Sequence, residues 1–286
     1  MTEEAFNLFL PTRRLTSVVF CSPHSGRRYP EAFLRDTVLD QRTIRTSEDA
    51  FVDQLLGSVP GLGAPLLVAT CPRAYLDLNR GPDELDPAVV DGALSLSHNP
   101  RVLSGLGVIP RVVAGGRAIY RGKIPMVEAQ RRIRDVWHPY HSQLQRLLDE
   151  SRRLFGQAVL IDVHSMPHEA MDAIASRAGR RPAIVIGDRY GAAAATPIVD
   201  LIEEAFRARG LNVARNAPFA GAYITQSYGR PAAGQHAVQI EMDRALYMDE
   251  LSIRPNAHFP AFKQLLDGVL ADIAEIGRSQ GALAAE

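Results

Sequence analysis

Residues 158–167 read AVLIDVHSMP: an apolar run, Ala158–Val163, that closes on a histidine, a serine and a proline. A run of this kind suits a strand buried on both faces. In α/β sheets ligands bind outside the carboxyl ends of the strands, so the group placed there matters. Four other runs have the same character: Thr16–Cys21, Pro65–Thr70, Pro182–Ile186 and Ala237–Met242. Longer amphipathic stretches lie between them. From Pro125 to Leu154 the residues Ile133, Val136, Trp137, Tyr140, Leu144, Leu147, Leu148 and Leu154 recur mostly at steps of three and four. That spacing predicts a helix with one core-facing stripe, kinked or split at Pro139. A second helix is predicted over Thr196–Arg209, with Thr196 as N-cap, Pro197 in the first turn and Gly210 as the stop. A third is expected near Ala261–Ile276, opened by Pro260, and a fourth within Glu48–Leu56. The alternation predicts an α/β protein with three layers, αβα.

The chain has 286 residues, enough to bury a large core, and no internal repeat divides it; we read residues 1–286 as a single domain. Lys and Arg total 32 and Asp and Glu total 32, so the net charge is zero. That balance argues against a non-specific partner for nucleic acid or anionic membrane. Met1–Leu10 carries Glu3 and Glu4 rather than a cationic segment, which does not read as a secretory signal. The expected compartment is the cytoplasm. The two cysteines, Cys21 and Cys71, exclude a disulfide scaffold and read as buried small hydrophobes. Residues Arg73–Lys123 are rich in Gly, Pro and Asp and weak in periodicity, the pattern of a functional loop. Gly281–Glu286 are expected to fray.

Polar groups gather where the apolar runs end. His24 follows the first run within Ser22-Pro23-His24-Ser25-Gly26, and His164 follows the third. Neutral imidazole is the commonest metal ligand, and a catalytic zinc needs three protein ligands and an open position. A carboxylate is expected as the third, and Glu48 or Asp49 is placed to supply it. Glu241 lies inside an apolar strand, where a carboxylate is costly without a partner or a task. It is a candidate general base; a salt bridge to Arg244 is the structural alternative, and Asp243 is a candidate supporting partner. Asn79 and Arg80 end the segment LDLNR and form a donor pair suited to an oxyanion or a carboxylate. Among other cationic loop residues, Arg117 and Arg230 are candidates for holding a substrate carboxylate, and Tyr223 joins them as a substrate-binding candidate. His138 and His141 read as packing beside Trp137, and His236 precedes the strand of Glu241. No nucleophile elbow and no phosphate-binding glycine loop is present.

Taken together, SPHSGRRYP at 22–30, EDAFVDQL at 48–55, PRAYLDLNR at 72–80, DVHSMP at 162–167, GDRYG at 187–191 and the long segment from Asn216 to Glu250 resemble the N-formylglutamate amidohydrolase family, in the right order over nearly the whole chain. The resemblance implies a mixed sheet between helices, phosphorylase/hydrolase-like, as in the zinc carboxypeptidases and aspartoacylases. It implies one zinc per chain, or another divalent ion, on His24, Asp49 (with Glu48 as competitor) and His164. The carboxypeptidase pattern His-x-x-Glu is absent, because Arg27 stands three residues after His24. The resemblance further implies Glu241 as the catalytic glutamate and Arg80 with Asn79 at the scissile carbonyl. The implied reaction is hydrolysis of an N-acyl amino acid, foremost N-formyl-L-glutamate to formate and L-glutamate, as in histidine breakdown. A metal-dependent peptide or cell-wall amidase and a non-catalytic homologue are the competing readings.

Overall fold

In a computed structural model, described over residues 5–94, 99–172 and 181–278, the five apolar runs supply five strands of a seven-stranded sheet, and Phe6–Phe9 and Val213–Arg215 add its two edges. The expected fraying of Gly281–Glu286 lies outside these residues. The strands are β1 (Phe6–Phe9), β2 (Val18–Ser22), β3 (Leu66–Ala69), β4 (Ala158–Met166), β5 (Ile184–Gly187), β6 (Val213–Arg215) and β7 (Gln235–Asp243). Their order across the sheet is β1-β3-β2-β4-β7-β5-β6. Neighbours from β3 to β7 run parallel, as do β5 and β6, while β1 and the β7–β5 pair are antiparallel. The sheet is therefore mixed, and β2, β3, β4 and β7 point their carboxyl ends the same way.

Alternation sends successive side chains to opposite faces. Val159, Ile161, Val163, Val238, Ile240 and Met242 pack with helices α3 (Thr196–Arg207) and α5 (Phe259–Ile276). Ala158, Leu160 and Ala237 face α1 (Met126–Arg132) and α2 (His138–Phe155). Helices thus cover both faces, the three layers that the alternation predicts. Further along that second face the same parity carries Asp162, His164, Gln239 and Glu241, so apolar packing gives way to polar groups at the carboxyl end. A short helix, α4 (Tyr223–Tyr228), lies beside β7.

Several local expectations change. Pro139 does not break its helix: a π turn over Ile133–Trp137 joins α1 to α2, and Pro139 follows directly after it, where the changed hydrogen-bond pattern accommodates a residue without an N–H. Ala195 rather than Thr196 is the N-cap of α3. The helix expected over Glu48–Leu56 shrinks to Val52–Leu55, preceded by a 3-10 turn at Arg45–Ser47, so Glu48 and Asp49 lie in the link between them. β4 extends through Met166, which places His164 within the strand. Among the described residues no helix is long and apolar enough to cross a membrane.

Candidate active site and metal centre

Loop packing brings the first two groups together. Gly26 presses its backbone against Thr70 and Cys71, where a Cβ would overlap the Cys71 carbonyl. This close approach seats the loop after β2, and with it His24, against the end of β3. The Asp49 N–H donates to the His24 carbonyl (3.0 Å). Phe51, at φ 68°, then turns the chain into the short helix. Asp49 is thereby aimed at the end of the sheet. Glu48 points elsewhere: its carboxylate accepts from Tyr29 Oη (2.7 Å) and Arg45 Nε (3.0 Å). The structure therefore removes Glu48 from the candidate ligands.

His24, Asp49 and His164 converge, all almost fully buried. His164 Nδ1 lies 3.1 Å from His24 Nδ1 and 3.0 Å from Asp49 Oδ2, and His24 Nδ1 lies 3.5 Å from the same oxygen. The opposite ring nitrogens face other carboxylates: His24 Nε2 meets Asp77 Oδ1 at 2.8 Å and His164 Nε2 meets Asp162 Oδ2 at 3.0 Å. Carboxylates only accept, so Asp77 and Asp162 favour the ring proton of each neutral imidazole on Nε2, with Asn79 Nδ2 also 3.2 Å from His164 Nε2. Both Nδ1 lone pairs and a carboxylate oxygen then crowd one point with no donor among them. Such a set requires a positive species at its centre, and the chemistry of the donors fits a divalent cation. The same crowding of carboxylates governs the titration of His164: burial disfavours its charged form, yet Asp162, Asp49 and Glu241 outweigh burial and hold its imidazole well above its usual range, so a proton on Nδ1 competes with a cation for this point. Burial likewise opposes ionisation of Asp49, and the two histidines overcome it.

Glu241 stands beside His164 in the β7–β4 register, and Gln239 stands beside Asp162. Gln239 Nε2 donates to Glu241 Oε1 (2.9 Å), which fixes the carboxylate. Burial pushes the Glu241 carboxyl up to about 7; His164 opposes this and Asp49 adds to it. Arg244 does not pair with Glu241. It donates to Asp49 Oδ1 (3.2 Å) and to Ser165 Oγ (3.1 Å). Asp243 does not support Glu241 either; it pairs with His168 (2.7 Å) and accepts from the Ala245 N–H.

A cavity of about 590 Å³ opens on this cluster, lined by His24, His164, Glu241, Asn79 and Arg80, with Arg73 and Arg101. Asn79 is engaged within the protein: its Oδ1 accepts from the Ile224 N–H (2.8 Å), and Nδ2 lies 3.4 Å from Asp162 Oδ2 and from Gln239 Oε1. Three expected substrate residues do not line the cavity. Arg117 is exposed and turned to the Ala114 carbonyl and to Thr43 and Thr46. Tyr223 packs against Trp137 and His141, with ring centroids 5.7 and 5.4 Å away. Arg230 pairs with Gln235 at the opposite end of β7 from Glu241. Loop position in the sequence says nothing about depth, and all three stand outside the cavity wall. His141 is a packing residue as expected, stacked on Trp137 at 4.0 Å. His236 accepts from the Ala195 N–H, away from the cluster. Both cysteines are buried, as expected.

Sequence reasoning missed Arg73, Asp77 and Asp162. Arg73 Nε donates to Asp77 Oδ2 (2.9 Å), and Asp77, Asp49 and Glu241 together outweigh burial to raise its pKa. A polar residue two positions before His164 in an otherwise apolar run was the available signal for Asp162, because strand parity places both on one face.

The family model for N-formylglutamate amidohydrolase matches residues 16–248. The N-formylglutamate deformylase of Pseudomonas putida is 32% identical over 266 residues, covering 88% of this chain and 92% of its own. That of Pseudomonas aeruginosa is 31% identical, covering 80% of each. The crystal structure of N-formylglutamate amidohydrolase from Ralstonia eutropha JMP134 superposes with a TM-score of 0.89 at 36% identity, covering 96% of this chain and 98% of that one.

Proposed function

The chain belongs to the N-formylglutamate amidohydrolase family, and we propose that it hydrolyses N-formyl-L-glutamate to formate and L-glutamate, with zinc held by His24, Asp49 and His164. The observation that carries this reading is the convergence of three acceptor atoms beside a buried glutamate on the neighbouring strand. When bound, a divalent cation supplies Lewis-acid polarisation of a carbonyl and lowers the pKa of a water to roughly 7. Two imidazoles and a carboxylate suit zinc among such ions. Formate and glutamate as products fit a cytoplasmic step of histidine breakdown.

The remaining chemistry belongs to the protein. Glu241, fixed by Gln239, accepts the proton of the attacking water and returns it to the leaving amine. Arg73 lines the cavity together with Glu241 and is held by Asp77, and in this reading its guanidinium stabilises the tetrahedral oxyanion. This reading gives Arg73 the oxyanion role expected of Arg80, which also lines the cavity. Arg80 spends Nε and Nη1 on the carbonyls of Leu106 and Asn79 and keeps Nη2 for the carboxylate next to the scissile amide. Asn79 holds the strand ends in place around them.

The test is formate release from N-formyl-L-glutamate by the zinc-loaded protein, with other N-acyl amino acids in parallel; release from none of them would refute the reading. The substitution Glu241→Gln is expected to lower kcat by about 10²- to 10⁴-fold while zinc content stays at the wild-type level. Wild-type turnover in that variant would assign the base elsewhere.

A further inference from the structure

Four arginines line the cavity: Arg73, Arg80, Arg101 and Arg244. Two already face carboxylates. Arg73 pairs with Asp77 (2.9 Å), and Arg244 pairs with Asp49 (3.2 Å) and Glu250 (3.7 Å). Arg80 and Arg101 have no ion-pair partner among the described residues. Arg101, exposed on the short helix Pro100–Leu103, makes one long side-chain contact, from Nη2 to the Gly221 carbonyl at 3.4 Å.

These two guanidinium groups are held on one wall. Arg80 Nε donates to the Leu106 carbonyl (2.8 Å), and the Leu106 N–H donates to the Arg101 carbonyl (2.8 Å). Glu84, the nearby acid, is committed to the frame. One oxygen accepts from the Gly81 N–H (2.7 Å) and the other from Asn99 Nδ2 (2.8 Å). Asn99 Oδ1 in turn accepts from the Arg101 N–H (3.0 Å). Burial holds the Arg80 pKa below its ordinary value, and Arg73 and Arg101 add to that against Asp77 and Glu84. Two cations on one cavity wall, neither in an ion pair among the described residues, form an arrangement that an anionic ligand relieves.

We propose that Arg101 reads the side-chain carboxylate of the substrate, so that the cavity selects N-acyl amino acids bearing a second, distal carboxylate. This inference rests on the reaction proposed above, in which Arg80 takes the carboxylate beside the amide. Arg101 is then a specificity residue on the cavity wall that it shares with Arg80.

The experiment compares kcat/KM for N-formylglutamate with that for N-formylnorvaline, which lacks the distal carboxylate, in the wild type, Arg101→Gln and Arg101→Glu. The wild type is expected to prefer N-formylglutamate. Arg101→Gln shrinks that preference by about 10²-fold, chiefly through KM. Arg101→Glu shifts preference toward N-formylornithine, whose side chain is cationic. An equal loss on N-formylglutamate and N-formylnorvaline in Arg101→Gln overturns the inference. If the wild type cleaves neither compound, the proposed reaction fails instead, and glutarate binding by calorimetry decides the role of Arg101. Affinity lost in Arg101→Gln upholds the inference, and affinity unchanged overturns it.

Discussion

His24 and His164 each turn Nδ1 toward Asp49 and give Nε2 to a carboxylate of their own, Asp77 and Asp162. Partners of this kind fix the tautomer and ring orientation and raise ligand basicity, and losing one typically costs 10- to 100-fold in metal affinity. Asp77→Asn and Asp162→Asn are each expected to weaken zinc binding by about that factor, measured by competition with a chromophoric chelator; wild-type affinity in both would deny them an orienting role. The histidines and Glu241 were legible in the sequence because a polar group at the end of an apolar strand is hard to explain by packing. The choice of Asp49 over Glu48 was not, since it depends on one backbone hydrogen bond and the left-handed turn at Phe51. Asp77 stood in plain sight within LDLNR, but its pairing with His24 requires two loops to meet.

Between α1 and α2 the π turn accommodates Pro139 and leaves His141 buried in the first turns of α2. His141 Nε2 faces the Leu78 carbonyl (2.9 Å) and Nδ1 faces Tyr228 Oη (3.0 Å), so the neutral ring is satisfied in place. Burial pushes its pKa down to about 4 from an ordinary 6.5, with the Leu78 bond opposing. The sign follows by linkage. Between those values the unfolded chain binds a proton that the folded chain refuses, so stability present above pH 6.5 is lost as pH falls toward 4. The loss attributable to this ring is about 3 kcal/mol. Urea unfolding at neutral pH and near pH 4.5 is expected to show a smaller drop in His141→Gln than in the wild type; equal drops would exonerate the imidazole. Periodicity revealed the long helix and its core stripe, whereas the π turn escaped it, since one extra residue per turn leaves the apolar steps of three and four nearly intact.

Across the molecule, the candidate ligands come from the loop after β2, the link before Val52–Leu55, and β4 itself. A cation there ties distant segments, so it stabilises the folded chain by mass action. At a free concentration 100 times Kd the gain is about 2.7 kcal/mol. For a chain of this size that corresponds to a rise in Tm of about 4–5 °C. Thermal scans with zinc and after chelation are expected to differ by that much, and coincident midpoints would separate the cluster from metal binding. The alternation of short apolar runs and amphipathic stretches revealed the layers and the strand ends. The strand order was hidden, because it depends on pairings between residues far apart in the chain. β7 is the last main strand in sequence, yet it lies between β4 and β5 near the middle of the sheet. During synthesis, therefore, the edges of β4 and β5 stay open until residues 235–243 emerge from the ribosome. Glu241, the proposed general base, arrives on the keystone strand: the step that closes the sheet against mispairing also brings in that carboxylate, so on this proposal activity waits until the sheet is sealed.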